Sequence, residues 1–196
     1  MPVLIDITQV PDERKNDPRF THEHAKLVAI YSDPDKINNI AVHEAAHAIY
    51  LERAGTVNIK FHGPKIEYKV IGNIFDSCSA FVQGCGYDGK HELNEEWVLA
   101  IAKAHAAGGV AALKLTSVGV SGDTGDRDLF ENACDKLCST GSIAINDRDA
   151  LWTLAQNEVE NELLDPALQH EIWMKVIEII PLICIEEVID PLSKPL

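Results

Sequence analysis

Two histidines, His43 and His47, stand four residues apart in Val42-His43-Glu44-Ala45-Ala46-His47-Ala48-Ile49, inside a stretch whose punctuation marks a helix. Asp33 offers a carboxylate N-cap, and Pro34 then occupies the first helical position, where a missing N–H costs nothing. Gly55 supplies a residue that accepts the left-handed conformation of a helix stop. The spacing predicts a helix over residues 34–54. On it, Ile40, His43, His47, Tyr50 and Ala54 share one stripe of three-and-four spacing. Two imidazoles are thereby turned toward a core, and buried polar groups require partners. Whatever packs on this helix must supply carbonyls, carboxylates or a cation, and that demand narrows the folds open to the chain.

The remaining pattern is mostly helical. Residues 21–31 show a short helical repeat through Leu27, Ile30 and Tyr31. Between residues 56 and 83 the period drops to two: Val57, Ile59 and Phe61 alternate with polar residues, His62 to Lys65 turn the chain, and Ile66, Tyr68 and Val70 alternate again. This predicts a β-ribbon, with residues 74–82 as a third strand. A glycine-rich loop over 84–89 follows. Asn94 is a second N-cap, opening an alanine-rich helix to about Leu115 that is broken or closely packed at Gly108-Gly109. Further helices are expected from Asp126 onward, over 148–164, and over 166–180 behind the repeated Asp165-Pro166 start. The expected fold class is mainly α with a small β-ribbon (α+β). It forms one domain over 1–196, with an arm over 1–20, a core over 34–140 and C-terminal helices over 147–196.

Imidazoles one helical turn apart reach a single cation. Glu44 is turned about 100° from His43, so it approaches a water beside that cation without taking a ligand position. Such a division suits metal-assisted hydrolysis, in which the ion activates water and the carboxylate carries the proton to the leaving group. Hydrolytic zinc takes three protein ligands and leaves a corner to solvent. Several residues compete to be the third. Metzincin spacing is excluded, because Tyr50 and Arg53 occupy the positions of its glycine and histidine. A downstream glutamate from Glu95, Glu96 or Glu158 is one source. The other is the group Asp123, Asp126 and Asp128, where a glycine-rich loop becomes a helix. The one-three-five spacing and sixth-position glycine of a calcium-binding EF-hand are absent there. The plainer alternative is a pair of core histidines bonded to carbonyls.

The chain resembles the FtsH-type, ATP-dependent zinc metalloprotease domain. His43-Glu44-Ala45-Ala46-His47-Ala48 is similar to the family's His-Glu-Ala-Gly-His-Ala signature, and Val57-Asn58-Ile59-Lys60-Phe61 follows at the family's distance. Ala107-Gly108-Gly109-Val110-Ala111-Ala112 resembles its small-residue helix, and Ser121-Gly122-Asp123-Thr124-Gly125-Asp126 its Thr-Gly-x-x-Asn-Asp segment. The likeness spans about residues 34–140. It implies a zinc-dependent peptidase with His43, His47 and Asp126 as metal ligands, Glu44 as catalytic base, Zn2+ as cofactor, and a peptide or unfolded protein as substrate. A shift of alignment would select Asp128 or Asp123 instead of Asp126. The chain departs from the family in lacking a Walker motif, so the ATPase half is missing, and a separate ATPase partner or a homo-oligomer stays open. Ala46 replaces a glycine. Leu113 and Lys114 replace two acidic residues, which implies loss of a carboxylate supporting the ligands. A catalytically weak zinc-binding regulatory module is the alternative function.

Composition bears on partners. The chain carries 31 acidic against 17 basic residues, a net charge of -14. Phosphate backbones and anionic membranes repel such a surface, so neither nucleic acid nor membrane is an expected partner. The apolar stretch 179–185, which contains Pro181, is far short of the roughly twenty residues of a membrane span. Asp6 and the charged run Asp12 to Lys15 interrupt any leader pattern, and five cysteines without framework spacing suit a reducing compartment; the expected location is cytoplasmic. A four-thiolate site from Cys78, Cys85, Cys134 and Cys138 is a minor alternative. His62, Tyr87 and His105 are candidates to stabilise an oxyanion, and the strand 66–71 to receive a peptide by strand addition. Glu158 and Glu160 read as a solvated helix face.

Overall fold

The computed structural model describes residues 18–69, 74–78, 80–89, 94–117, 123–139, 145, 147–183 and 186–189. The elements in order are α1 (Pro18–Tyr31), α2 (Pro34–Arg53), β1 (Lys60–His62), β2 (Lys65–Lys69), β3 (Ile74–Cys78), β4 (Phe81–Gln83), α3 (Glu95–Leu115), α4 (Asp123–Ser139), α5 (Arg148–Glu162), α6 (Pro166–Ile179), a 3-10 turn (Ile180–Leu182) and β5 (Glu186–Ile189). The chain is thus mainly helical with a small β component. Of the expected N-terminal arm only 18–20 are described, and these already belong to α1.

Helix starts follow the sequence signals closely. The carboxylates of Asp33 and Asp165 accept hydrogen bonds from the backbone N–H groups of Asp35 and Ala167, and Asn94 caps α3 through the Trp97 N–H. Each satisfies an amide that lacks an intrahelical acceptor. After α2 the chain turns at Gly55, whose φ of +79° is a left-handed value. The loop over 84–89 folds back on this turn, with Val57 N–H donating to Gly86 C=O and Asp88 N–H to Gly55 C=O.

The β-ribbon expectation is corrected. β1 and β2 flank the expected turn but do not pair with each other. β1 pairs antiparallel with β4, while β2 lies between antiparallel β3 and parallel β5. The expected third strand divides into β3 and β4, and Val70 lies outside the described residues. β2 has neighbours on both sides, so it offers no open edge for a peptide. The C-terminal helices expected over 148–164 and 166–180 are α5 and α6, and beyond them the described residues add strand β5.

The helices pack around α3. Its alanines Ala104, Ala107 and Ala111 are buried with Ala41, Ala45 and Ile49 of α2, Val159 of α5, and Ile172 and Val176 of α6. Small side chains let the α2 and α3 backbones approach closely, and this is the most extensive helix pairing among the described residues. Of the described helices, α3 alone is long and apolar enough to cross a membrane, with a mean hydropathy of 1.4 over its best window. Its apolar surface is covered by α2, α4 and α5, as befits a central core helix.

Ile172 is fully buried, whereas Ile177 on the same helix is 63% exposed. Ile172→Ala is expected to lower unfolding free energy by about 2–5 kcal/mol through lost burial and a cavity. Ile177→Ala should stay within about 0.5 kcal/mol of the parent. Urea denaturation of both variants checks this; equal losses would contradict the packing described.

Candidate metal centre

His43 and His47 project from one face of α2 toward α3 and the first turn of α4. Their Nε2 atoms lie 2.9 Å apart. Asp126 brings its carboxylate to the same point, with Oδ2 at 3.2 Å from His43 Nε2 and Oδ1 at 3.3 Å from His47 Nε2. Among the described residues these three form the one group of potential ligands whose atoms converge, all within 4.8 Å of one another. Asp126 thereby meets the two histidines as the resemblance implied. Asp128 lines the same cleft but is exposed and outside the group. The side chain of Asp123 lies outside the described residues.

Three features fit a cation here. His47 Nδ1 lies 2.7 Å from the Ala104 carbonyl oxygen, a bond in which the Nδ1–H donates and which turns Nε2 toward His43 and Asp126. Asp126 Oδ2 is buried without a well-formed hydrogen bond among the described residues. The two Nε2 atoms, 2.9 Å apart, each face one oxygen of the Asp126 carboxylate, at 3.2 Å (Oδ2) and 3.3 Å (Oδ1), separations of the size found between neighbouring ligand atoms around zinc, about 3.3 Å. Two imidazoles and a carboxylate are also a donor set that zinc commonly takes.

Gly108 makes room for this arrangement. A Cβ at position 108 would stand 2.3 Å from His47 Nε2 and 2.7 Å from His43 Nε2. The Gly108-Gly109 pair is therefore a site of close packing in an unbroken helix. Neither Gly108 nor the Ala104 carbonyl was identifiable as a site element from composition. The small-residue run flags the close approach, but the carbonyl that would meet an imidazole depends on helix register.

Glu44 is buried beside the two histidines, 6% exposed. Burial raises its pKa above the ordinary carboxylate value, opposed by the His47 and His43 charges and by a hydrogen bond from the Val82 N–H of β4; nearby Asp126 adds to the rise. For His47, burial disfavours the charged ring, but the Asp126 hydrogen bond and the Asp126 and Glu44 charges outweigh it, and the pKa is raised to about 9. Burial would likewise raise the Asp126 pKa, yet the facing imidazoles hold it well below the usual range.

The cleft has a volume of about 840 Å³. Ile30, Ile40, Leu51, Phe81, Val82 and Leu129 form its apolar wall, with His105 near the ligands. Tyr31 accepts a hydrogen bond from Ala80 N–H at 3.1 Å, tying α1 to the start of β4. Of the other oxyanion candidates, His62 stacks on Phe81 and Tyr87 packs edge-on against Trp97. Glu95 and Glu96 are exposed at the far start of α3, and Glu158 pairs with Lys103. Glu160 is exposed and pairs with Lys114. Leu113 and Lys114 are exposed and absent from the cleft wall, so their replacement of acidic residues removes nothing from it. Where the resemblance implied loss of a supporting carboxylate, His47 is held by the Ala104 carbonyl. Cys134 is buried and Cys85 exposed, and no cysteine cluster of ligand geometry occurs among the described residues. No protein-family model, no curated protein and no solved structure matches the chain.

Gly108→Ala is expected to weaken zinc binding at least about tenfold, on the scale seen when groups supporting ligands are disturbed. Gly125→Ala, where an added Cβ meets nothing within 4 Å, should leave affinity unchanged. Titration against a chromogenic chelator checks both; equal affinities for the two variants would contradict the cradle.

Proposed function

We propose that the chain is a zinc-dependent peptidase of the FtsH-like class, with His43, His47 and Asp126 as ligands and Glu44 as general base. The observation that carries this reading is the convergence of the two Nε2 atoms and the Asp126 carboxylate within 4.8 Å, with Glu44 buried beside them on an apolar cleft. Zinc held there would polarise a scissile carbonyl and bring a water's pKa toward neutrality.

The chain's own residues supply the rest. Glu44 accepts the proton of the attacking water on its carboxylate and passes it to the leaving nitrogen, so no proton is lost from the cycle. Its raised pKa suits both tasks better than an exposed carboxylate would. The Val82 N–H fixes the carboxylate, which ties the base to the strand that lines the cleft. The Ala104 carbonyl fixes the His47 tautomer. The apolar wall excludes water and receives side chains of an extended substrate. The substrate in this reading is a peptide or an unfolded protein, whose extended backbone and side chains the cleft can receive.

Cleavage of an unfolded polypeptide should stop on chelation and return with zinc. Glu44→Gln should keep the metal yet lose at least about 100-fold in kcat. A Glu44→Gln variant that cleaves like the parent, or a zinc-loaded parent that cleaves nothing, would contradict the reading, the latter favouring a metal-holding binding module.

A further inference from the structure

We infer that His105 is a further catalytic residue, donating a hydrogen bond from its neutral imidazole to the oxyanion that develops on the scissile carbonyl. This rests on the peptidase reading above.

His105 lies on α3 one helical turn before Gly108, and so on the face that carries the histidine cradle. It follows Ala104, whose carbonyl holds His47. Its side chain lines the cleft together with His43, His47, Glu44 and Asp126. It nevertheless stands outside the group of ligand atoms lying within 4.8 Å of one another. It is therefore adjacent to the ligands without being one of them.

Among the described residues no hydrogen bond reaches the His105 ring. A largely buried imidazole without a protein partner, facing a cleft, has its hydrogen-bonding capacity free for what enters the cleft. Burial disfavours the charged form of the ring. A neutral imidazole has one N–H to donate. Glu44 stands on α2 and His105 on α3, so base and donor approach a bound carbonyl from different helices. The proton cycle needs nothing from His105: its N–H donates and stays bound to nitrogen throughout. Donors aimed at a developing oxyanion contribute most in a site closed to water.

The test uses the full zinc-loaded chain with His105→Phe, which keeps the ring volume and removes the donor, and His105→Gln, which restores a neutral donor. Cleavage of a quenched peptide gives kcat and KM. Calorimetry gives affinity for a phosphinic peptide, whose tetrahedral oxygens mimic the oxyanion, and a chelator competition gives zinc affinity. His105→Phe should lose about 100-fold in kcat and a similar factor in phosphinic-peptide affinity, with KM and zinc affinity near parental values. His105→Gln should recover at least about tenfold of both losses. Parental kcat and phosphinic-peptide affinity in His105→Phe would overturn the inference while leaving the peptidase reading intact. A parallel fall in zinc affinity would overturn it by making His105 a ligand. The phosphinic-peptide arm needs no turnover, so a parent that binds the compound without cleaving peptide would sink the peptidase reading and still decide the role of His105.

Discussion

The close approach of α2 and α3 is the constraint on which the site depends. Helices meet this tightly only when small side chains face each other, and here Ala41 and Ala45 face Ala104, Ala107 and Ala111. The contact has a cost, since glycine inside a helix is less favourable than alanine by about 1 kcal/mol. It also has a specific product. Only with position 108 bare do two imidazoles fit between the helices, and only at this separation does the Ala104 carbonyl reach His47 Nδ1. A bulkier α3 would fill the core as well and leave no room for the histidines.

The electrostatics follow from that geometry. Four ionisable side chains, His43, Glu44, His47 and Asp126, share a largely buried space. Burial opposes charge on Glu44, His47 and Asp126, and the neighbouring groups of opposite sign partly restore it. The result is a site whose groups resist their ordinary protonation: Glu44 and His47 are pushed up and Asp126 down. A divalent cation between the Nε2 atoms and the Asp126 carboxylate would replace the proton that otherwise separates two facing nitrogens. Ile30, Ile40 and Leu51 pack against the core and also line the cleft, so core packing and the cleft share residues.

Much of this was legible in local sequence. Asp33-Pro34, Asn94 and Asp165-Pro166 are capping signals that act over a few residues, and each opens a helix where expected. The four-residue spacing of His43 and His47 determines their common face, because helix geometry is rigid. Meeting Asp126, by contrast, requires α4 to dock on α3; the residues alone left Asp123, Asp126 and Asp128 as competitors, and the resemblance pointed to Asp126 while an alignment shift kept the other two open. Strand pairing was the least legible. Alternation places Lys60–His62 and Lys65–Lys69 in extended conformation, yet nothing local says that β1 prefers β4, or that β2 recruits Glu186–Ile189 from the far end of the chain. Those choices are made by long-range contacts, as is the meeting of His47 with one particular carbonyl.

The central claim is that His43, His47 and Asp126 hold one zinc ion. Zinc-edge X-ray absorption combined with anomalous diffraction on the purified, metal-reloaded chain tests it most directly. The account predicts one zinc per chain, bound by two imidazole nitrogens and carboxylate oxygen at about 2.0–2.2 Å, with the anomalous peak between α2 and the first turn of α4. A chain that takes up no zinc, or a peak on sulfur ligands or at any other side chains, would contradict it.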